Sequence, residues 1–138
     1  MKSRDTLIRL KRFHVDEKRR RVSQIETMIA EFQRMASDLD REIAAEQQRA
    51  GIHDVTHFAY PTYARAAGQR RDNLLRSAED MRGQLTEAQD ELAEAFEELK
   101  KVELLDERDQ AGEKTAEKVR DQQSMDEIGL QAHTRRAG

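Results

Sequence analysis

Residues 51–62, GIHDVTHFAYPT, separate two long stretches of sequence in which apolar residues recur every three or four positions. Gly51 suits the left-handed conformation that ends a helix, and Pro61 or Thr62 suits the first turn of another helix. Because the 138-residue chain contains one Pro and six Gly, few other turns are available. We therefore predict two long helices joined by this segment, which is called the tip below.

Both flanking stretches follow a seven-residue repeat with two seam positions, as in a coiled coil. In the first stretch these positions are Ile8, Val15, Val22, Ile29, Ala36, Ile43 and Ala50, with Arg4, Lys11, Lys18, Ile25, Phe32, Leu39 and Glu46. In the second they are Ala64, Arg71, Ala78, Leu85, Leu92, Leu99 and Asp106, with Ala67, Leu74, Met81, Ala88, Ala95 and Val102. The first seam is apolar in its middle and charged at both ends.

This pattern predicts an all-α protein, a long antiparallel two-helix coiled-coil hairpin with a polar, disordered C-terminal tail. We expect the hairpin over residues 1–106, with arms over 3–50 and 63–106 around the tip, and a frayed or disordered tail over 107–138. With 38% charged and 4% aromatic residues, the chain lacks the wide apolar faces of a sandwich, a barrel or a doubly wound sheet.

In an antiparallel pair, the residue numbers of facing seam positions add to a constant, and sums of 117 and 110 both suit a short tip. We prefer 117, because it places Glu46 opposite Arg71, whereas 110 leaves Arg71 facing Leu39. The net charge of +6 over residues 1–21 and of −8 over residues 79–110 favours the antiparallel arrangement in general.

The sequence contains no phosphate-binding glycine loop, no HExxH and no nucleophile elbow, so we expect neither an enzyme nor a bound cofactor. Zero Cys excludes disulfides and thiolate chemistry. His53, Asp54 and His57 provide at most a partial ligand set, and we interpret them as residues of an exposed connection without a metal. The absence of a long apolar run and of a secretory signal predicts a cytoplasmic protein.

Two groups of side chains are candidates for partner binding. Three of the six aromatic residues lie together at the tip, and they either seal the helix ends or anchor a partner: Phe58, Tyr60 and Tyr63. Basic residues cluster near the start of the chain: Arg4, Arg9, Lys11, Arg12, Lys18, Arg19, Arg20 and Arg21. The Lys18–Arg21 run forms either a solvated helix face or a surface for nucleic acid or anionic lipid. Nucleic acid is disfavoured, because the net charge is −3 and no aromatic residue interleaves the Lys18–Arg21 run.

Further apolar residues lie off the seam. Leu7 and Leu10, with Phe13 or His14, form a second stripe, which either meets a partner or packs against a folded-back tail. Near the end of the chain, Met125, Ile128 and Leu130 are either a docking segment or part of an unstructured tail. Inside the second arm, glycines at positions 68 and 83 predict local flexibility.

Three segments carry a resemblance to a known family: LIRLKRFHVDEKRRRV (7–22), GIHDVTHFAYPTYARAAGQRRDNL (51–74) and SMDEIGLQAHTRR (124–136). Together with the uninterrupted charged hairpin between them, they resemble the FliJ family of small coiled-coil components of the bacterial flagellar type III export apparatus. The resemblance spans nearly the whole chain.

The resemblance implies a stalk whose open end enters the export ATPase hexamer, promotes ring assembly and ATP hydrolysis, and links the ring to the export gate in the membrane. It also implies escort of export chaperones, a role in motility and chemotaxis, and a cytoplasmic location that is peripheral to the membrane through partners. On this basis, the basic group is the hypothetical ring contact, and Phe58, Tyr60 and Tyr63 are the hypothetical gate contact. A coiled-coil scaffold that dimerises is the alternative, and a nucleic-acid-binding coiled coil is a third.

Overall fold

The computed structural model describes residues 2–137, which form two helices and a short connection. Helix α1 spans Lys2–Ala50, and helix α2 spans Thr62–Ala137. Within residues 2–137 there is no strand. The predicted all-α class and the two-helix hairpin are therefore confirmed.

The tip begins and ends at the residues that the sequence indicated. Gly51 has a φ of 70°, and its amide donates to the carbonyl of Gln47 at 2.9 Å, which closes the last turn of α1. The carbonyl of Pro61 accepts the amide of Arg65 at 3.0 Å, which opens α2. A glycine ends the first helix and a proline precedes the second, so the chain reverses over residues 51–61.

The hairpin divides into two compact units, and each has its own packing. The first unit combines the start of α1, as far as Arg12, with α2 from Glu97 onward, and buries Ile8 and Leu99. The second unit, Phe13–Phe96, holds two clusters of buried residues. One cluster contains Ile25, Ile29, Ala78, Met81 and Ala88, and the other contains Ile43, Tyr60, Ala64 and Ala67.

The predicted seam agrees closely with the observed burial. Every seam position from Arg4 to Glu46 and from Ala64 to Asp106 is buried or half-buried, whereas Ala50 is exposed. Small residues are prominent among the buried positions. Five alanines of the second unit are at most 5% exposed: Ala36, Ala64, Ala67, Ala78 and Ala88.

The preferred register of 117 is wrong. In the second unit, Lys18 pairs with Glu91 at 3.0 Å and Asp40 with Arg71 at 2.9 Å, so the paired numbers add to 109 and 111. Ile43 clusters with Ala67, its facing residue for a sum of 110, and that cluster does not include Leu74. In the first unit, the ion pairs give sums from 109, for Lys11 with Glu98, to 115, for Arg12 with Glu103, so they do not fix the register there.

The length of the tip explains this register. Because α1 ends at Ala50 and α2 begins at Thr62, a sum of 117 would set position 50 against position 67 and leave the first turn of α2 beyond the end of α1. A sum of 110 avoids this loss of buried apolar surface. Pairing of facing charges does not discriminate between sums of 117 and 110, because long basic side chains reach an acid up to a turn away along the other helix.

The expected disordered tail is corrected to a helix, since α2 continues to Ala137. All described side chains from residue 107 to residue 136 are exposed. No proline follows Pro61, and Ala, Glu, Lys, Gln and Arg, which favour helices, are frequent. Side-chain hydrogen bonds one turn apart add support, from Gln110 to Asp106 and from Gln122 to Asp126. The division of the chain after residue 106 stays a prediction.

Candidate partner-binding surfaces

Three of the four residues of the basic group that lie in the first unit pair with acids of α2. Their partners are Glu98 for Lys11 at 2.7 Å, Glu103 for Arg12 at 3.7 Å, and Asp106 and Asp109 for Arg4. Arg9 is exposed and has no ion pair within the described residues 2–137. Exposed ion pairs are worth roughly 0–1 kcal/mol each, so these pairs can be exchanged for pairs with a partner at little cost.

The Lys18–Arg21 run in the second unit shows the same division into inward and outward residues. Lys18 pairs with Glu91, and the guanidinium of Arg19 lies 4.9 Å from the ring centroid of Phe96 in a cation–π contact. Arg20 and Arg21 are exposed without an ion pair in the part of the chain that is described. Among the candidate ring contacts, Arg9, Arg20 and Arg21 are therefore the ones that are exposed and make neither an ion pair nor a cation–π contact within residues 2–137.

The connection between the helices is an ordered turn. The carboxylate of Asp54 accepts the amide of Thr56 at 2.9 Å and its hydroxyl at 2.7 Å. Both hydrogen bonds lower the pKa of Asp54 below its usual 3.8, and the bond from the Thr56 hydroxyl contributes more than the bond from the amide. Nδ1 of His57 accepts the amide of Ala59 at 3.0 Å, and the amide of His57 donates to the carbonyl of Asp54 at 3.1 Å. The polar side chains of the tip thus hold its backbone.

The three aromatic residues of the tip have different environments. Tyr60 is 6% exposed, packs with Ile43 and Ala64, and its hydroxyl accepts the side-chain amide of Gln47 at 2.8 Å. Phe58, in contrast, is 94% exposed and stacks on His57, with the ring centroids 4.8 Å apart. The two interpretations of the aromatic group therefore apply to different residues, because Tyr60 seals the hairpin while Phe58 projects into solvent.

Tyr63 lies on the exposed side of the first turn of α2. Its hydroxyl donates to the carboxylate of Glu42 at 2.5 Å, and this hydrogen bond to a carboxylate raises the pKa of Tyr63. The ring remains 55% exposed. Tyr63 is thus held in position from α1 while most of its ring is available to a partner.

Arg71 is a residue whose contacts the sequence interpretation missed. It was expected opposite Glu46, but its guanidinium contacts Asp40 at 2.9 Å and Asp72 at 3.1 Å. These hydrogen bonds, with Asp40 the larger contribution, raise the pKa of Arg71. Glu46 pairs instead with Arg49, one turn further along α1, at 2.6 Å.

Exposed apolar side chains off the seam occur in both units. In the first unit, Leu7 and Leu10 are 40% and 49% exposed, and the tail does not fold back over them. The same unit exposes about half of Leu104 and Leu105, which the sequence interpretation did not single out. In the second unit, Phe13 is 53% exposed.

Neither a metal nor a membrane span has support in the described residues. Among them, no group of three or more His, Cys, Asp or Glu side chains is placed to hold a metal ion. Over the same range, no helix combines the length and apolar character needed to cross a bilayer. The described residues offer surfaces for macromolecular partners.

Comparison with protein families provides an independent result. The family model described as "Flagellar FliJ protein" matches residues 1–138, the whole chain. Neither the curated proteins nor the solved structures contain a match to this chain.

Proposed function

The chain belongs to the FliJ family, as the match over residues 1–138 shows, and is thus a flagellar protein related to export. We propose that it acts in export as the stalk of the export ATPase. In this role, the ends of α1 and α2 that lie away from the tip enter the ATPase ring, promote its assembly and stimulate ATP hydrolysis. We assign the chain no enzymatic activity of its own.

The observation that carries the proposal is the division of the basic group into two kinds of residue. Lys11 and Lys18 stabilise the hairpin through ion pairs with α2. Arg9, Arg20 and Arg21 are exposed and make no such pair within residues 2–137. Guanidinium groups without partners are suited to bind carboxylates of a surrounding ring, and each pair remains weak enough to exchange as the ring changes conformation.

The tip is the proposed contact with the export gate. Phe58 presents its ring to solvent from a turn that internal hydrogen bonds keep ordered, and Tyr63 presents its ring from the first turn of α2, where Glu42 accepts its hydroxyl. A preordered aromatic side chain loses little conformational entropy on binding, which makes it an effective anchor. We propose no direct gate contact for Tyr60, since its ring belongs to the hairpin's own packing.

Two further parts of the proposal concern location and escort. We place the protein in the cytoplasm, held at the membrane face of the export apparatus by its partners. Export chaperones are a third class of partner, and the exposed Leu104 and Leu105 of the first unit are a surface on which they can pack.

The proposal is tested by ATP hydrolysis of the cognate export ATPase, measured with and without stoichiometric chain, together with hexamer assembly by sizing. We expect the wild-type chain to raise both. In the variants Arg9→Glu and Arg20→Glu/Arg21→Glu, each replaced arginine should reduce the stimulation of ATP hydrolysis roughly two- to fivefold. The circular dichroism of both variants should be unchanged.

Arg34→Glu is the matched control, because Arg34 is an exposed arginine of α1 outside the basic group. It should stimulate like the wild type. Full stimulation by the folded Arg20→Glu/Arg21→Glu variant would contradict the ring contact, and a wild-type chain without effect would contradict the stalk itself.

One observation favours the alternative of a dimerising scaffold. The part of α2 after residue 106 exposes half or more of several apolar side chains: Val119, Met125, Ile128 and Leu130. If a second copy covers them, sedimentation should give an obligate dimer of twice the 16.0 kDa chain mass. A monomer at micromolar concentration favours the stalk.

A further inference from the structure

The first unit is held together mainly by ion pairs. Of its side chains that the structure describes, those of Ile8 and Leu99 alone are buried, and each is 9% exposed. Ion pairs join the start of α1 to α2: Arg4 with Asp106 and Asp109, Lys11 with Glu98, and Arg12 with Glu103. These pairs are open to solvent, since 58% of the Glu98 side chain and 61% of the Arg12 side chain are exposed. Exposed ion pairs contribute little to stability and are screened by salt.

The second unit is stabilised by apolar packing instead. It buries Ile25, Ala36 and Ala64 to 1% exposure and Val15 to 3%. The burial of apolar surface does not depend on attraction between charges. The Debye length, over which charges interact, falls from about 10 Å in 0.1 M salt to about 3 Å in 1 M salt. Salt should therefore weaken the contact between the helices in the first unit and leave the second unit intact.

The acids of α2 occupy basic side chains that a partner could otherwise bind. In the first unit, Arg9 is the member of the basic group that is exposed and has no ion pair within the described residues 2–137. Arg4, Lys11 and Arg12 contact carboxylates of α2. A carboxylate of a partner would form the same kind of charge-assisted hydrogen bond with each of them. Acids of α2 and acids of a partner therefore compete for these three side chains.

We propose that the first unit is an autoinhibitory contact, in which residues 98–109 of α2 hold the start of α1 until carboxylates of a partner replace them. Separation of the two helices in this unit adds Arg4, Lys11 and Arg12 to Arg9 as groups that bind the partner. The separation is a property of this chain alone. In naming the ATPase ring as the acidic partner, the inference rests on the proposed stalk function.

The separation is measured with pairs of spin labels, because the natural chain contains no cysteine. Ser3→Cys/Gly112→Cys labels two residues that line one groove of the first unit, and Met35→Cys/Arg70→Cys does the same in the second unit. Distances are measured by double electron–electron resonance. Between about 0.05 M and 1 M NaCl, the fraction of short distances should fall at least twofold for the first pair and stay constant for the second. A first pair that does not respond to salt would overturn the proposal.

Neutral replacements of α2 acids test the inhibition. Glu103→Gln/Asp109→Asn leaves α1 unchanged and removes carboxylates that contact Arg12 and Arg4. At low salt, the fraction of short distances in the first unit should be at least twofold lower than in the wild-type background. The variant should also reach half-maximal stimulation of the export ATPase at a roughly two- to fivefold lower concentration than the wild type, because its basic side chains are already released.

Glu107→Gln/Glu113→Gln is the matched control for this variant. It changes the net charge of α2 by the same amount, and neither Glu107 nor Glu113 has an ion pair in the described part of the chain. Its label distances and its half-saturating concentration should equal those of the wild type. Equal gains in both double variants would show that net charge governs binding, which would overturn the autoinhibitory contact.

A short bismaleimide crosslink in the Ser3→Cys/Gly112→Cys variant keeps the first unit closed. It should reduce stimulation of the ATPase roughly two- to fivefold relative to the same variant without the crosslink, whereas crosslinked Met35→Cys/Arg70→Cys should stimulate fully. If the wild-type chain gives no stimulation, the stalk proposal fails, while the salt-dependent distances still decide whether the first unit opens. If the wild type stimulates and the first crosslink has no effect, the ring does not use the released side chains, and the inference about its partner is overturned.

Discussion

The side-chain amide of Gln47 donates a 2.8 Å hydrogen bond to the hydroxyl of Tyr60, which ties the end of the tip to the last turns of α1. This bond accompanies the burial of the Tyr60 ring against Ile43 and Ala64. Phe58, two residues earlier, has no comparable contact and is 94% exposed. One aromatic residue therefore organises the tip, and another is available to a partner.

Tyr60 and Phe58 should accordingly differ in their effects on stability. Tyr60→Ala removes a buried ring and should lower the free energy of unfolding by about 3 kcal/mol, measured by urea denaturation. Phe58→Ala should change it by less than about 0.5 kcal/mol. Binding to the export gate should depend on Phe58 instead, so the Phe58→Ala variant should be fully folded but bind the gate more weakly than the wild type. Equal losses of stability would contradict the assignment of Tyr60 to the core.

The register can be measured directly, because the natural chain contains no cysteine. In the observed register Ile43 clusters with Ala67, so Ile43→Cys/Ala67→Cys should form an intramolecular disulfide rapidly under mild oxidation. Ile43→Cys/Leu74→Cys, which matches a sum of 117, serves as the comparison and should stay reduced. Faster closure of the second pair, followed by gel mobility, would restore the register rejected above.

The turn at Asp54 should respond to acid. Because the pKa of Asp54 is lowered in the folded chain, its ionised form stabilises the turn above the usual value of 3.8, and this contribution is lost as the pH falls through the lowered pKa. Amide exchange of Thr56 should therefore show less protection in acid than at pH 5, after correction for the intrinsic pH dependence of exchange.

Asp54→Asn is the control for this effect, since asparagine keeps an acceptor oxygen but does not titrate. Its corrected protection at Thr56 should be independent of pH over the same range. A wild-type chain that behaves like the asparagine variant would show that ionisation of Asp54 does not support the turn.

Two glycines should respond oppositely to alanine. Gly83 lies inside α2 with open space where a Cβ would be, so Gly83→Ala should raise the free energy of unfolding by about 0.5–1 kcal/mol. Gly51 has a φ of 70°, and Gly51→Ala should lower it by about 1 kcal/mol. Thermal denaturation of both variants tests this, and a stabilising Gly51→Ala would be inconsistent with the observed helix end.

Removal of residues 114–138 should leave the hairpin intact. The described side chains of this segment are all exposed, so its deletion should change the free energy of unfolding by less than about 0.5 kcal/mol. Total helical signal should fall in proportion to the residues removed. A large loss of stability would show that the segment is buried against another surface in solution. If the deletion also converts a dimer to a monomer, that surface belongs to a second copy of the chain.

The seam was predictable because burial on a helix follows a period that the sequence displays directly. Residues with no apolar character, such as Arg4 and Glu46, were placed on the seam by spacing alone and are half-buried there. The end of α1 was likewise indicated by Gly51, whose freedom to adopt a positive φ is a local property.

Register and side-chain environment at the tip were not predictable in the same way. Arg71 reaches Asp40 rather than Glu46, because the observed register sets it beside position 39. An acid lies within reach of this guanidinium in either register, so charge pairing does not distinguish the two. Tyr60 and Phe58 are the same kind of residue in the same segment. Only the path of the backbone through the turn determines which ring is buried.

The five buried alanines of the second unit determine how the distance between the helix axes can vary. Interaxial separation depends on the side chains at the contact, and alanines at positions 36, 64, 67, 78 and 88 allow a close approach. A larger residue at any of them would wedge the axes apart, at a cost of about 1–3 kcal/mol. At these positions the sequence is constrained by crowding, whereas the core of an ordinary globular domain is constrained mainly by the cavities that smaller residues would leave.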